Sequence, residues 1–256
     1  MMSPKLPIGV PSDPADPGND VYYGRLGLRA SALIGGVIAT LEARGAAIVR
    51  ANIPTEGWIG GPGTEMAILN RNPESRTRNE PARFPIVFVY ELKHDLNAYL
   101  RDWLAGTPIG SLADIIGFNE ANAGRALRFG QDLLLAAEAT RGDLREPEYR
   151  AARAMDLRAS RTLGLDAYMD RHRLDAVLFP RTAGAAIAAK AGYPSVQVPA
   201  GFVSGAAGGR QTPDYPLGAT FAGRAWSEPT LLRLAYAFEQ ATKARRMPPG
   251  LRPLAA

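Results

Sequence analysis

Apolar residues recur at helical spacing through Leu33, Val37, Ile38 and Leu41, and Gly45 follows where a left-handed glycine would end a helix. The pattern predicts a helix over Leu28–Ala43. The run Ala47–Ile53 then reads as a strand. Helix, glycine and strand in this order make half of an α/β crossover unit and imply a sheet with helices packed against it. Ahead of them, Pro4, Pro7, Pro11, Pro14 and Pro17 follow too closely for any helix, so residues 1–20 read as an extended or disordered lead-in. The glycine- and proline-rich stretch from Pro54 to Pro85 is far longer than the usual connection of about 4–6 residues. A loop of that length is either functional or poorly ordered.

From Pro85 the helical period returns. Val89, Leu92, Leu96, Tyr99, Leu100 and Trp103 fall on one face of a helix that Pro85 opens. Gly106 and Pro108 break it, and Ser111 stands as the N-cap of a helix over Leu112–Asn119. Further helices fit Asn122–Ala137 and a segment from Pro147 to about Leu163. The compact apolar run from Leu174 to Pro180 reads as a buried strand, with two short strands at Val196–Val198 and Leu217–Phe221. A helix over Glu228–Arg245, capped by Ser227, closes the chain. No internal repeat and no low-complexity linker divides residues 21–256, which read as one α/β domain.

Composition narrows this picture without redrawing it. With 46% hydrophobic and 21% charged residues among 256, the chain has the make-up of an ordinary globular protein and enough length for a substantial core. The absence of cysteine removes disulfides, thiolate metal sites and a cysteine nucleophile from consideration. No apolar run approaches the roughly 18 residues a membrane helix needs, and a cytoplasmic location is expected by default. The net charge of +5 comes largely from Arg233, Lys243, Arg245, Arg246 and Arg252 in the last segment. Cations at a helix C-terminus complement its dipole. This tail is read as a solvated helix face, and nucleic acid is not an expected partner.

Candidate chemistry is sparse. The two histidines, His94 and His172, each lie in a charged stretch and read as surface residues, and no zinc-type histidine spacing is present. No serine lies in Gly-x-Ser-x-Gly, the turn that exposes a hydrolase nucleophile. Ser195 stands before a strand among Gly192, Pro194 and Pro199, with Lys190 as the one nearby base, and reads as structural. The glycine clusters Gly60–Gly63 and Gly205–Gly209 lack the order of a phosphate-binding loop and read as turns or cleft-lining backbone. The carboxylate pairs Asp13/Asp16 and Glu146/Glu148 read as surface groups, and no cofactor or metal is expected.

Five segments in order carry a resemblance. They are Ala47-Ile-Val-Arg50 with Ile53-Pro-Thr55; Glu91-Leu-Lys-His-Asp-Leu-Asn-Ala-Tyr-Leu100; Asp175-Ala-Val-Leu-Phe-Pro180; Gly192-Tyr-Pro-Ser-Val-Gln-Val-Pro199; and Pro216-Leu-Gly-Ala-Thr-Phe-Ala-Gly223. Together with Trp58-Ile-Gly-Gly-Pro-Gly63, they are similar to the C-terminal half of the amidase-signature hydrolases, closest to bacterial amidases. The resemblance implies an α/β/α sandwich around a mixed sheet, here incomplete, and hydrolysis of a carboxamide C–N bond through an acyl-serine. The family's Ser-Ser-Lys machinery lies in its first half. No Ser-Ser dipeptide occurs in this chain, so no catalytic residue is carried over and the chain alone is expected to be inactive.

What the resemblance does assign is pocket lining: Trp58, Gly60 and Gly61 in the glycine-rich loop, and Arg181, Thr182 and Gly184 after the strand ending at Pro180. It implies a small carboxamide substrate when the missing half, a partner chain or an oligomer completes the site. Two other readings stand beside a truncated amidase. One is a non-catalytic descendant that binds a ligand or a completing partner, and the other is a basic module for RNA or acidic proteins.

Overall fold

The computed structural model describes residues 6–56, 85–104, 106–207 and 210–247, with backbone alone for 205–207 and 210–213. Trp58, Gly60 and Gly61 therefore lie outside the described residues. The chain forms two compact units, residues 1–57 with 158–256, and residues 58–157.

The first unit is built on a five-stranded mixed sheet in the order β2-β1-β3-β5-β4. Its strands are β1 (Leu6–Val10), β2 (Ala46–Arg50), β3 (Ala176–Pro180), β4 (Ser195–Ala207) and β5 (Arg210–Ala222). β1 runs parallel to β2 and β3, whereas β5 is antiparallel to β3 and β4. Leu6–Val10 thus belongs to the sheet, a departure from the extended or disordered lead-in expected of residues 1–20. Pro7 is tolerated because it stands near the start of β1, before the pairing with β3 begins at Ile8, and its carbonyl accepts the Asp175 amide at 2.9 Å.

Alternation along the strands sends side chains to two faces. Ile8, Val10 and Leu178 meet α1 (Leu28–Ala43) and α9 (Glu228–Thr242) in a core that includes Ile34, Val37, Leu41, Phe221, Leu231 and Phe238. On the opposite face Gly9 leaves space for Tyr168 and Leu174, since a Cβ at Gly9 would lie 2.5 Å from Leu174 and 2.8 Å from the Tyr168 ring. Tyr168 belongs to α7 (Ala167–His172), which continues a π-helical segment, Arg158–Asp166, and is followed after β3 by α8 (Ala185–Ala191). Helices therefore cover both faces, giving the α/β/α layering expected of the chain.

The helix over Leu28–Ala43 matches its predicted span, and Gly45 is left-handed at φ 93°. The two short strands after Leu174 are instead arms of a long hairpin of 13 residues each, Ser195–Ala207 and Arg210–Ala222. Pro199 and Gly201 are absorbed by a register shift in β4, an edge strand, and Gly201 takes φ 149°. Pro213 and Pro216 lie in β5 beyond its pairing with β3, which covers only Ala219–Ala222. Ser227 begins α9 without the expected side-chain cap, because its Oγ is buried with no hydrogen-bond partner among the described residues. After α9, Arg246 lies over the Phe202 ring at 3.8 Å and 3.5 Å from Asp214, so part of the basic tail returns onto the hairpin.

The second unit contains α2 (Ile86–Trp103), α3 (Leu112–Ala121), α4 (Ala123–Ala126), α5 (Asp132–Glu138) and α6 (Pro147–Leu157). Its core joins Val89, Leu112, Ile116 and Ala137 with Leu92, Leu96, Leu133 and Leu134. Tyr99 and Trp103 stay exposed, so the apolar face read from the sequence is buried only in part. The single helix predicted over Asn122–Ala137 is broken between Ala126 and Asp132, where Gly130 adopts φ 74°.

The Glu91–Leu100 motif acts here as a set of tethers. Glu91 accepts the Tyr149 hydroxyl at 2.9 Å, and Lys93 donates to the Glu138 and Thr140 carbonyls at 2.7 and 2.9 Å. Asn97 accepts the fully buried Leu112 amide at 2.7 Å, at the first turn of α3. Asn97→Ala would leave that amide unpaired and is expected to cost about 1–2 kcal/mol in urea unfolding. An unchanged midpoint would show that the tether is unimportant.

Candidate functional site

β1 connects to β2 on one side through α1, and the chain later returns with β3 on the other side of β1. This is a topological switch point, and open α/β sheets place ligands at the carboxyl ends of the strands that flank one. Three segments leave that edge: Pro11–Tyr23 after β1, Ala51–Glu56 after β2, and Arg181–Gly184 after β3.

Side chains lock the first two segments together. Asn52 accepts the Asp13 amide at 2.8 Å and donates to the Asp16 carbonyl at 3.1 Å. Ser12 donates to Asp20 at 2.7 Å, and Asp20 accepts the Tyr23 amide at 2.7 Å. Asp13 is thus held within this network by its backbone, more constrained than the surface pair read from the sequence. The Tyr23 hydroxyl donates to the Leu178 carbonyl at 2.6 Å, and the Tyr22 ring meets Phe179 edge-on at 4.8 Å, joining the first segment to β3.

Inside this frame lies a polar cluster with no signature in the local residue pattern. Thr55 and Glu56 are each 1% exposed, Tyr22 is 6% exposed and Tyr168 fully buried. Glu56 Oε1 accepts the Ile53 amide at 2.9 Å. Burial, with a smaller contribution from Asp20 and Asp16, pushes the Glu56 carboxyl up to about 8 from an ordinary 4.5. Tyr22 and Tyr168 are raised above the usual phenol range, first by burial and second by the Glu56 charge. A charged residue just after Pro54 gave no clue to its burial, because the loop residues fold inward only through tertiary contacts.

The three predicted residues that the structure describes come together in the turn after β3. Arg181 is left-handed at φ 52°, and its amide donates to the Gly218 carbonyl at 2.8 Å. Its own carbonyl accepts the Thr220 hydroxyl at 2.5 Å. These bonds from β5 fix a non-glycine residue in a conformation it rarely takes, a kind of strain found where a site is held ready. The Arg181 and Thr182 side chains are exposed, and Gly184 is buried against the Phe179 ring.

The remaining candidates lie apart from this edge or offer no chemistry. Ser195 is exposed at the first residue of β4. His94 pairs with Asp95 at 2.7 Å on an exposed helix face, and His172 is half-buried with its ring edge-on to Tyr168 at 5.4 Å. Among the described residues no group of three or more histidine, aspartate or glutamate side chains is placed to hold a metal ion. No helix among them is long and apolar enough to cross a membrane.

In sequence and in fold, the chain is a relative of the amidases of the amidase-signature family. It is 35% identical over 232 residues to a probable amidase of Arabidopsis thaliana, an alignment covering 88% of this chain and 39% of that protein. The solved peptide amidase of Stenotrophomonas maltophilia superposes with a TM-score of 0.68 at 32% identity, covering 94% of this chain and 44% of that one. An amidase family protein from Bacillus anthracis shares the fold at TM-score 0.69 and 23% identity, over 96% of this chain and 40% of its own. No family profile matches the chain. The chain spans about two fifths of the length of the relatives it matches.

Proposed function

We propose that this chain is the C-terminal portion of an amidase-signature carboxamide hydrolase and lines the pocket for the acyl group without supplying the nucleophile. The observation that carries the reading is the joint sequence and fold match to amidases over nearly the whole chain. The strained Arg181 turn at the carboxyl edge supports the placement of Arg181, Thr182 and Gly184 beside a substrate. Trp58, Gly60 and Gly61 join them by resemblance alone. No Ser-Ser dipeptide occurs in the 256 residues, so the acyl-serine step requires a segment that brings serine, serine and lysine. Substrate is a small carboxamide, no cofactor takes part, and a completing chain is the expected partner. The basic tail gives no reason to add nucleic acid.

The purified chain is expected to release no ammonia from carboxamides and to take no label from a serine-directed fluorophosphonate. Supplied with the nucleophile-bearing segment of a related amidase, it is expected to gain both properties. Hydrolysis and labelling by the chain alone would overturn the proposal.

A further inference from the structure

Four side-chain oxygens near the switch point are buried with no hydrogen-bond partner among the described residues: Tyr22 Oη, Thr55 Oγ1, Glu56 Oε2 and Tyr168 Oη. Buried polar groups in folded proteins are almost always paired, so four in one neighbourhood call for a ligand. Several contacts gather them. Thr55 Oγ1 lies 3.0 Å from the place a Cβ on Gly164 would occupy, Gly164 is one helical turn from Tyr168, and Glu56 follows Thr55. The Tyr168 hydroxyl lies 2.9 Å from the corresponding position on Gly9. The Glu56 charge bears on both tyrosines, second to their burial. Gly164 belongs to the π-helical segment, and π-helical turns occur frequently at functional sites.

We propose that Glu56, Tyr22, Thr55 and Tyr168 form a binding site for ammonia, the small base that a primary carboxamide releases on hydrolysis, and hold it as ammonium. The ligand's origin rests on the amidase reading, whereas the site rests on the cluster itself. The charged groups near it favour a cation over an anion: Asp16 and Asp20 bear on Glu56, while Arg50 bears on Tyr23 and His172 only meets the outer edge of the Tyr168 ring. A carboxyl kept neutral by burial can give its proton to an incoming amine. The Oε2–H bond breaks as the nitrogen lone pair takes the proton, leaving a carboxylate beside an ammonium ion. The carboxylate and the three hydroxyls are the acceptors the proposed site offers to the N–H bonds of that ion.

Thermal unfolding of the whole chain at pH 7, with ammonium chloride exchanged for sodium chloride at constant ionic strength, tests the site. A saturable rise in Tm is expected with ammonium and none with sodium or choline. Glu56→Gln is expected to abolish the rise, and Tyr168→Phe to weaken the apparent affinity about tenfold. Should Glu56→Gln fail to fold, Tyr22→Phe and Thr55→Val are expected to show the same weakening. An equal rise with sodium or choline, or a full response in these variants, would overturn the proposal. So would an equal response to potassium, which would mark a general monovalent-cation site. Because the readout needs no hydrolysis, its failure leaves the amidase reading standing, and ammonium binding by a chain that never hydrolyses amides leaves this site standing.

Discussion

Glu56→Gln is expected to make the protein more stable at pH 8 and to flatten its stability between pH 5 and 8. Glu56 holds its proton up to about pH 8 in the folded chain, against an ordinary 4.5. Its contribution to folding is therefore fully present below about pH 4.5 and is lost as pH rises through 8. In that window the folded state binds more protons than the unfolded state, so each pH unit costs up to about 1.4 kcal/mol. Glutamine keeps the side chain's shape and the oxygen that accepts the Ile53 amide, but carries no charge to bury. Urea unfolding in ammonium-free sodium buffers at pH 5, 6, 7 and 8 should show wild type losing several kcal/mol relative to the variant. Parallel curves for the two proteins would mean that Glu56 titrates as an ordinary surface carboxyl.

The same residue shows where a single sequence stops being legible. Local signals served well when they were periodic: the Leu28–Ala43 helix kept its span because its apolar stripe, with Ile34, Val37, Ile38 and Leu41 buried, is also the face that the sheet covers. Ser111 capped its helix as expected, its Oγ accepting the Asp114 amide at 3.2 Å. The strand Ala176–Pro180 is buried at every position, which its continuous apolar run had indicated. Legibility fails where prolines and glycines sit inside strands instead of ending them. Pro7, Pro199 and Pro216 all lie within strands, each at a place where the missing N–H is not needed by a neighbouring strand. Of the candidate site, the turn after β3 was named by resemblance, and its place in a pocket is a proposal. The buried Tyr22, Thr55, Glu56 and Tyr168 were not legible, since they come from three separate segments joined only by tertiary packing. The motif Glu91–Leu100, informative about kinship, turned out to tether helices in the other unit.

Gly184→Ala is expected to destabilise the protein by about 3 kcal/mol and to disturb the Arg181 turn at the same time. A Cβ at this position would fall on the Phe179 ring, 2.7 Å from its Cε2 and nearer still to Cγ and Cδ2. Gly184 has φ −82°, so the requirement for glycine is one of space, not of backbone handedness. Phe179 is fully buried in β3 with Tyr22 packed edge-on against it, and moving the ring would press on the cluster around Glu56. If the turn moves instead, the Arg181 amide parts from Gly218 and the Thr220 hydroxyl from the Arg181 carbonyl. Gly18→Ala, where nothing lies within 4 Å, provides the control and is expected to stay within about 0.5 kcal/mol of wild type. Pairing Gly184→Ala with Phe179→Leu should recover part of the loss, because the smaller side chain vacates the contested volume. A Gly184→Ala protein as stable as wild type would mean that Phe179 has room to withdraw, and the turn would then be less rigid than its hydrogen bonds suggest.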